Sequence, residues 1–527
     1  MSALRILPGA LLVLAGAMST SFASLVVVPD GFATIQSAID SGTDTVLVRS
    51  GRYDENLAVR QGIALLAHPR LNTYQEDAFP QVGSLTIYSD TCFNQCMDIN
   101  QVVASGLRFR GKVQLAPGSH LTNHDVEFTV CRMDSGLSIS DFIIQRLNVS
   151  GCTLLGSLEV QGMGVSVTLN SVYGGGISAG GEGWLSVSGN YVHGPALLGL
   201  MAASQGEATV SGNTVVATQD GILAYDTYGL TLEDNEVMDC SGSGLIVAGV
   251  GYGSAGIRRN VIQRCAGWGL ERSSHVGSVT VERNLFQACG SGGLSISTYD
   301  YARVDSNVVG RCGGAGFDVN AGSVQNCTSY LNQGAGFVYR GQAGVSGNVA
   351  FGNATYGLVC SGAPHVLGCN DWFANTSGAV SGTSPGSSDV SIDPLFCDLA
   401  HDNLHLSAES PLLSLGACGL IGALGQGCLV AVGVAPEQEL GIHAFTVSPN
   451  PNRGEVQFAW AGAARPEWVD VYDVTGARRW GVAVEPGAST LAWRVTDSAG
   501  RRLPAGVYYA RLTGRSMSAS TRFVLVQ

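Results

Sequence analysis

Three ionisable side chains follow copies of a recurring glycine–apolar pair within three residues. Their types are those used in acid–base chemistry. Glu271 and Asp318 each come directly after such a pair, and Arg340 lies two residues beyond that point in a further copy. Two carboxylates held at a fixed separation can act as a general acid and a general base. Glu271, Asp318 and Arg340 are therefore the candidate catalytic residues.

A second set of side chains recurs at the third residue after the same pair. Hydroxyl, amide and phenol groups can hydrogen-bond to a ligand, and a phenol ring can also stack on one. The candidate ligand-binding residues at these positions are Tyr225, Ser273, Ser297 and Asn320.

Histidine pairs offer metal binding as a further chemistry. His120 and His124 lie four residues apart, but the flanking alternation predicts strands, in which four residues span about 13 Å, too far for one metal ion. His401 and His405 have the same spacing in an irregular segment, where we expect capping hydrogen bonds. We predict no metal site.

The elements that must position these residues come from an internal repeat of roughly 19 to 25 residues, a period typical of solenoids. In each copy an apolar residue follows an asparagine by two positions, and a cysteine or asparagine follows it by five. The apolar residues alternate with period two, so each copy is predicted to form two or three short strands. One copy, around Asn326 and Cys327, is slipped. The recurring asparagines are Asn190, Asn213, Asn235, Asn260, Asn284, Asn307, Asn348 and Asn370.

Stacked turns explain the asparagine column. A buried Asn can hydrogen-bond to the backbone and to the Asn about 4.8 Å above it, which predicts an Asn ladder. Asn332 is expected near a looser coil, where its loss would cost less than that of Asn260. A second column is predicted to be a stack of free thiols, because successive coils hold side chains farther apart than the roughly 3.8 Å Cβ separation of a disulfide. Its members are Cys240, Cys265, Cys289 and Cys312.

Disulfides are expected outside that stack. The candidate bridges are Cys92 with Cys96, Cys360 with Cys369, and one bridge among Cys397, Cys418 and Cys428.

The repeats and the start of the chain resemble a known superfamily. Copies of the form Asn-x-[Val/Ile]-x-x-[Asn/Cys]-x-x-Gly-[Leu/Phe] are similar to those of pectate-lyase-like right-handed β-helix proteins, in particular secreted bacterial ones. Residues 29–39, followed by 44–48 and 51–56, resemble that group's capping helix and first coil. The resemblance covers residues 26–430 and implies an all-β fold, a right-handed single-stranded parallel β-helix of the pectin-lyase-like type.

Relatives of this fold that cleave polysaccharides carry their working groups on the outward side of the sheet after the Gly-[Leu/Phe] turn. Glu271 and Asp318 would project there two coils apart, about 9.6 Å, near the upper end of the roughly 6.5 to 9.5 Å of inverting glycosidases. The sequence lacks the paired aspartates and the Gly-His-Gly of such hydrolases, and residues 218–222 match a polygalacturonase motif only in part. A lyase of this fold would pair an Arg or Lys base with calcium-binding acids. The balance favours a protein without catalytic activity that requires no cofactor, with calcium a candidate for the lyase alternative.

The first residues and the charge indicate an exported protein. A short basic start, an apolar run over residues 6–18 and a small-x-small site ending at Ala23 predict a signal peptide of residues 1–23. The run is shorter than the about 20 residues that span a bilayer. With 28 Lys and Arg against 41 Asp and Glu, the net charge is −13, which argues against nucleic acid as a partner. We expect a secreted or surface-displayed monomer.

The β-helix with its caps is predicted to span residues 24–429. Residues 393–428 resemble the terminal segment of the same superfamily and should cap the last coil, whose strand edge would otherwise pair with another chain. Residues 430–442 are predicted to be a linker. Residues 443–527 alternate polar and apolar positions around glycine turns, which predicts a small β-sandwich. That sandwich resembles the C-terminal sorting domains of type IX secretion and the related Ig-like domain of flagellar hook-capping proteins, which implies export or attachment.

The functional hypothesis is an exported β-helix protein that binds extended glycans on the outward face of the solenoid. One alternative is a polysaccharide lyase or glycoside hydrolase acting on that face, and another is a non-enzymatic adhesin or structural spacer. The expected partners are a polysaccharide or other extracellular glycan and, through the C-terminal domain, the export machinery.

Overall fold

The computed structural model describes residues 24–68, 79–88, 101–116, 125–141, 144–249, 253–273, 277–297, 301–429, 444–450, 452, 454–461, 468–473, 478–485, 487–497, 500–514 and 517–526. The predicted signal peptide, the predicted linker, Cys92, Cys96, His120 and His124 lie outside the described residues.

Parallel strands stacked in register build most of the protein. Between Leu25 and Ser381 the described residues form a parallel β-helix of about 16 turns, which confirms the predicted all-β solenoid. The apolar residues two positions after each recurring asparagine stack in the interior: Val237 pairs with Ile262, and Ile262 pairs with Phe286. All three are fully buried.

Three rows of strands run along the β-helix. In each coil the first-row strand follows the turn that contains the recurring asparagine, the second-row strand lies at the Gly-[Leu/Phe] pair, and the third-row strand leads to the next asparagine. The first row comprises Arg108–Phe109, Arg132–Met133, Thr153–Leu154, Ser171–Tyr173, Tyr191–His193, Thr214–Val216, Glu236–Met238, Val261–Gln263, Leu285–Gln287, Val308–Gly310, Thr328–Tyr330 and Val349–Phe351. The second row comprises Val113–Leu115, Leu137–Ser140, Leu198–Ser204, Asp220–Tyr225, Leu245–Ala248, Trp268–Ser273, Gly292–Ser297, Phe317–Val319, Phe337–Tyr339, Tyr356–Cys360 and Gly378–Ser381. The third row comprises Leu25–Val28, Thr45–Arg49, Ile63–His68, Gln101–Ser105, Asp125–Thr129, Arg146–Ser150, Glu207–Ser211, Gly229–Glu233, Ser254–Arg258, Ser278–Glu282, Ala302–Asp305, Ser323–Gln325, Gly344–Ser346 and Val366–Gly368.

Four longer strands pass from one row into the next. Arg52–Val59 and Gln81–Ile87 join the first and second rows, and Leu158–Thr168 and Ile177–Ser188 join the second and third rows.

A left-handed backbone residue precedes the recurring asparagines and turns the chain from the third row into the first. Asp234, Arg259 and Arg283 have φ values of 56°, 54° and 56°, and Gly189 and Gly212 occupy the same place at 64° and 62°. A residue other than glycine pays about 1 to 2 kcal/mol for this conformation, so the turn needs the fixed hydrogen bonds of the asparagine beside it.

The recurring asparagines form a continuous hydrogen-bonded column. The Oδ1 atom of Asn213 accepts from the backbone N–H and the Nδ2 of Asn190 at 3.0 and 2.9 Å, and Asn190 Nδ2 also donates to the Val167 carbonyl. The same pattern repeats from coil to coil up to Asn307 and again from Asn348 to Asn370. All eight predicted asparagines are buried. Asn170, which the sequence comparison did not include, extends the column by one coil.

Cys327 occupies the place between Asn307 and Asn348 in this ladder. Its backbone N–H donates to Asn348 Oδ1 at 2.9 Å, and Asn307 Nδ2 lies 4.0 Å from its Sγ. Burial raises the pKa of Cys327 to about 12. The copy that the sequence indicated as slipped is therefore in register, with a neutral thiol replacing one amide.

A carboxylate ends the ladder. Asp389 Oδ1 accepts from the backbone N–H and the Nδ2 of Asn370, both at 3.0 Å. Its Oδ2 accepts from the Trp372 indole at 2.9 Å and from the Gly386 N–H at 2.8 Å. An acceptor-only group at this point satisfies the amide donors that no further asparagine can receive.

The second column begins with the predicted thiol stack. Cys240, Cys265, Cys289 and Cys312 are free and buried, as predicted. The hydrogen bond with Cys265, together with burial, raises the pKa of Cys240.

Asparagines continue that column. Cys312 donates its N–H to Asn332 Oδ1 at 2.9 Å, and Asn332 Nδ2 donates to Asn353 Oδ1 at 2.9 Å. Asn332 is 1% exposed. The expectation of a looser coil at Asn332 is therefore wrong, because this residue takes over the column where the cysteines end.

A short helix, Ile35–Asp40, closes the start of the β-helix. Its residues Ile35, Ala38 and Ile39 join the solenoid core. The Glu55 carboxylate accepts from the first free N–H groups of the helix, those of Ile35 and Gln36, at 3.0 and 2.9 Å. A negative charge at a helix N-terminus stabilises it.

The terminal segment packs along the side of the solenoid. Its elements are the strands Phe396–Asp398, Asn403–Ser407 and Gln426–Cys428 and the 3-10 helices Pro411–Leu413 and Gly416–Cys418. Leu404, Leu412 and Ile421 pack against Val308 and Val349 on the outward side of the first row. The segment thus covers outward apolar side chains that the sequence did not distinguish from inward ones.

Two disulfides in the described residues hold this segment. Cys397 bonds Cys428, which confirms one bridge in the predicted trio, whereas Cys369 bonds Cys418. The predicted bridge between Cys360 and Cys369 is wrong. Cys360 is free and points into the core at 2% exposure, while Cys369 lies in a surface turn that the terminal segment reaches.

The C-terminal residues form the predicted sandwich of two small antiparallel sheets. One sheet contains Ala444–Ser448, Val456–Ala461 and Thr490–Trp493, and the other contains Trp468–Asp473, Arg478–Ala483, Gly506–Gly514 and Met517–Leu525. The sandwich has its own hydrophobic core, which contains Phe458, Trp493 and Phe523. Arg522 of this sandwich pairs with Glu236 of the solenoid at 3.1 Å.

Among the described residues, no helix has the length and apolar character needed to cross a membrane.

Candidate functional site

The second row carries the candidate residues on its outward side. Leu270 and Phe317 are fully buried, and the residues that follow them, Glu271 and Asp318, are half-buried on the outer surface. Glu271 pairs in register with Ser295, and Ser295 pairs with Asp318. The two carboxylates therefore share one column, two coil steps apart, a separation of about 9.6 Å at the usual strand spacing.

Asp318 is already engaged by Arg340. The guanidinium Nη1 of Arg340 donates to Asp318 Oδ1, and its Nη2 donates to Oδ2 at 3.3 Å. The hydrogen bond with Asp318 raises the pKa of Arg340. Both side chains are partly exposed, so the pair is accessible from solvent and nearly neutral as a unit.

The second outward column holds the candidate ligand-binding residues. Tyr225 pairs with Ala248, Ala248 with Ser273 and Ser273 with Ser297. Asn320 follows in the next coil, and its Nδ2 donates to Ser297 Oγ at 3.0 Å. The side chain of Ser273 lies outside the described part of the chain, so only its backbone is placed in this column.

The described residues contain no group of three or more His, Cys, Asp or Glu side chains that could hold a metal ion. His401 Nδ1 contacts Asp398 Oδ2 at 2.7 Å, and His405 Nδ1 contacts Asn403 Oδ1 at 3.1 Å. Both histidines thus have local hydrogen-bond partners in the terminal segment.

A third column, which is not among the predicted ones, lies at the edge of the outward face. Its members are the residues immediately before the glycine of each Gly-apolar pair, including Asp220, Ser243 and Trp268. Ser243 Oγ lies 3.4 Å from Glu271 Oε2. Aligning the copies one residue further back would have revealed this column, although not its contact with Glu271.

Comparison with known proteins supports the fold. A model described as "Right handed beta helix region" matches residues 130–271 and 220–371, less than half of the chain, and agrees with the observed parallel β-helix. No curated protein matches the sequence.

Solved structures of low similarity align with parts of this chain. Tailspike protein 3 of bacteriophage CBA120 is 13% identical over 67% of this chain and 58% of its own, with a TM-score of 0.33. The A-module of the Azotobacter vinelandii mannuronan C-5 epimerase AlgE4 is 13% identical over 68% of this chain and 95% of its own, with a TM-score of 0.32. PorZ, a surface component of the type-IX secretion system of Porphyromonas gingivalis, is 23% identical over 19% of this chain, with a TM-score of 0.14. The match spans only 13% of PorZ.

Proposed function

We propose that this protein binds an extended glycan along the outward face of the second row. The observation that carries the proposal is a row of solvent-accessible polar pairs repeated along the solenoid axis, Asn320 with Ser297 and Arg340 with Asp318. Coil steps of about 4.8 Å place these polar pairs one after another along a straight line, which suits an extended polymer better than a compact ligand. The rigid stacked strands hold these groups in place before binding, so little ordering is required when the ligand arrives.

Binding without turnover fits the face better than catalysis does. Asp318 would have to leave Arg340 before it could exchange a proton with a substrate. The column neighbours of Glu271 are Ile246 and Ser295, so its own column supplies no acid or base partner directly beside it. The lyase or hydrolase alternative therefore depends on a rearrangement of the Asp318–Arg340 pair.

A glycan panel tests the proposal directly. Binding of plant, algal and bacterial polysaccharides is measured with and without calcium, and new reducing or unsaturated ends are assayed in the same samples. We expect binding without chain shortening. Replacing Arg340 by Gln should weaken binding about three- to tenfold, the loss of one charged hydrogen-bonding partner.

Arg303→Gln is the matched control, because Arg303 is about as exposed as Arg340 and forms an ion pair with Asp305 on the third row. Equal losses of affinity in the two variants would contradict a binding role for the second row. New chain ends produced by the wild type and lost in both Glu271→Gln and Asp318→Asn would replace binding by catalysis as the function. Absence of any glycan binding would leave the adhesin or spacer alternative.

We also propose that the protein is exported and that its C-terminal sandwich serves in export or attachment at the cell surface. The sandwich has its own core, and its sequence resembles sorting domains. A chain ending at residue 440 should fold but fail to reach or remain at the surface of its native host. Normal surface display of that shortened chain would contradict this role.

A further inference from the structure

Three consecutive coils bring together a compact group of side chains at the edge of the outward face. The backbone N–H of Ser243 donates to Asp220 Oδ1 at 2.8 Å. The Oγ of Ser243 accepts from the Trp268 N–H at 3.2 Å and lies 3.4 Å from Glu271 Oε2. Ser243 thus links the carboxylate of Asp220 in the coil before it to that of Glu271 in the coil after it. We call Asp220, Ser243, Trp268 and Glu271 the edge cluster.

The indole of Trp268 lies on the backbone of the next coil. A β-carbon built on Gly292, its partner in register, would overlap the six-membered ring. Glycine at that point therefore lets the ring rest on the surface of the solenoid. Trp268 remains half-exposed, so part of a large aromatic side chain is offered to solvent beside Glu271.

The described second-row positions next to the edge cluster are mainly apolar on their outward side. The column that leads to Glu271 holds Met201, Leu223 and Ile246, all half-exposed. From the coil of Met201 to that of Gly292, no described outward or edge position of the second row is Arg or Lys. The next outward cation along this row is Arg340, three coils beyond Glu271, and Asp318 neutralises it.

We propose that the edge cluster is a subsite for a sugar unit that carries no carboxylate, with an amino sugar preferred. The inference rests on the proposed glycan binding and names the class of sugar. The apolar side of a sugar ring can pack on Trp268, and its hydroxyl groups can hydrogen-bond to Asp220, Ser243 and Glu271. An ammonium group placed beside Glu271 gains attraction from that carboxylate and from the indole face of Trp268. A uronate would meet two carboxylates, and no described outward or edge position of these coils offers it an Arg or Lys, which disfavours it.

The subsite can be tested by measuring the affinity of the protein for three tetrasaccharides of equal length. They are the β-1,4-linked tetramer of glucosamine, the β-1,4-linked tetramer of glucose and the 1,4-linked tetramer of galacturonate. Isothermal titration should rank them in that order, with galacturonate weakest. Trp268→Ala should lower the affinity for the glucosamine tetramer about tenfold, and Trp268→Phe should retain most of it. Glu271→Gln should weaken glucosamine binding about fivefold and glucose binding much less, because it removes charge and keeps shape.

Trp184→Ala is the matched control, since Trp184 is also an exposed tryptophan but pairs with Glu207 in the third row. It should leave all three affinities unchanged, and thermal unfolding should show that each variant is folded. Preference for galacturonate, or equal effects of Trp268→Ala and Trp184→Ala, would overturn the subsite while leaving glycan binding intact. Failure of all three tetramers and of the polysaccharide panel would overturn both proposals. Binding of tetralysine as tight as that of the glucosamine tetramer would show a site for cationic peptide rather than sugar.

Discussion

Asp371 is a carboxylate in surroundings that disfavour its charge. It is fully buried between Val349 and Val390, its neighbours in the stack. Its Oδ1 accepts from the Ile392 N–H at 2.9 Å, whereas its Oδ2 has no hydrogen-bond partner in the described part of the chain. Burial, helped by the nearby charge of Asp393, raises the pKa of Asp371 to about 7. The side chain is therefore protonated below neutral pH in the folded protein.

This shift predicts a loss of stability as the pH rises. The unfolded chain ionises Asp371 near its ordinary value of 3.8, so between about pH 4 and pH 7 only the folded state keeps the proton. The free energy of unfolding should fall across that window, by on the order of a few kcal/mol, and stay low above it. Thermal melts of the wild type and Asp371→Asn at pH 5 and pH 8 should show a smaller decline in the variant. Identical declines would mean that Asp371 ionises freely in the fold.

Asp318 and Arg340, unlike Asp371, are charged side chains in contact with water. Both are polar groups on the outer surface, where water solvates them, and their ion pair contributes little to folding, typically below about 1 kcal/mol. A variant that lacks either side chain should therefore fold normally, and a loss of its glycan affinity can be attributed to binding.

At the scale of elements, two buried columns of side chains stabilise the turns. Asn332 in the second column is hydrogen-bonded to the coils on both sides of it, as Asn260 is in the first. Asn260 accepts from Asn235 and donates to Leu232 and Asn284. Asn332 accepts from Cys312 and donates to Ser329 and Asn353. Each amide satisfies backbone or side-chain groups that would otherwise be buried without partners.

Asn260→Ala and Asn332→Ala should therefore each lower the free energy of unfolding by about 1 to 3 kcal/mol. Asn148→Ala is the control, because Asn148 lies half-exposed on a third-row strand, and it should change stability by less than about 0.5 kcal/mol. Chemical denaturation midpoints measure all three. A loss at Asn332 no larger than that at Asn148 would remove the second column from the stabilising framework.

The burial of the thiol stack predicts that its cysteines do not react in the folded protein. Eight cysteines in the described residues are free and buried, and thiols react as exposed thiolates. Iodoacetamide should leave the peptides containing Cys240, Cys265, Cys289 and Cys312 unmodified in the native protein and alkylate them in denaturant. Native-state alkylation of any of these four, read by mass spectrometry, would show that its coil opens.

The solenoid and the C-terminal sandwich should fold independently as parts of the whole molecule. Their cores are separate. The ion pair between Arg522 and Glu236 is partly exposed on both sides, so it contributes at most about 1 kcal/mol. A chain ending at residue 440 should keep the melting temperature of the solenoid within a few degrees. A large fall in that temperature would mean that the sandwich supports the solenoid.

Much of the architecture could be predicted because a solenoid repeats the same pattern of residue types in each coil. The asparagine, the apolar residue two positions later and the Gly-[Leu/Phe] pair recur often enough to reveal strands, turns and inward columns. The outward columns followed from the same alternation, so the sequence placed Glu271, Asp318, Tyr225 and Ser297 on one face.

Single copies that depart from the repeat were harder to interpret. The repeat predicts a slip at Cys327, whereas the structure keeps this copy in register with a thiol in the place of an amide. Asn332 is expected near a looser coil, whereas its amide hydrogen-bonds Cys312 and Asn353 in the second column. At Cys327, hydrogen bonds between coils compensate for a residue type that the repeat does not predict.

The sequence by itself determined the all-β solenoid, its buried asparagine and thiol columns and the separate C-terminal sandwich, because these depend on local alternation and on equivalent residues stacking on one another. Only the tertiary structure decided that Cys369 meets Cys418, that Arg340 binds Asp318 and that Ser243 links Asp220 to Glu271. These contacts depend on how the terminal segment returns along the side of the solenoid and on which side chains of neighbouring coils reach each other. Repeat spacing does not encode either of these.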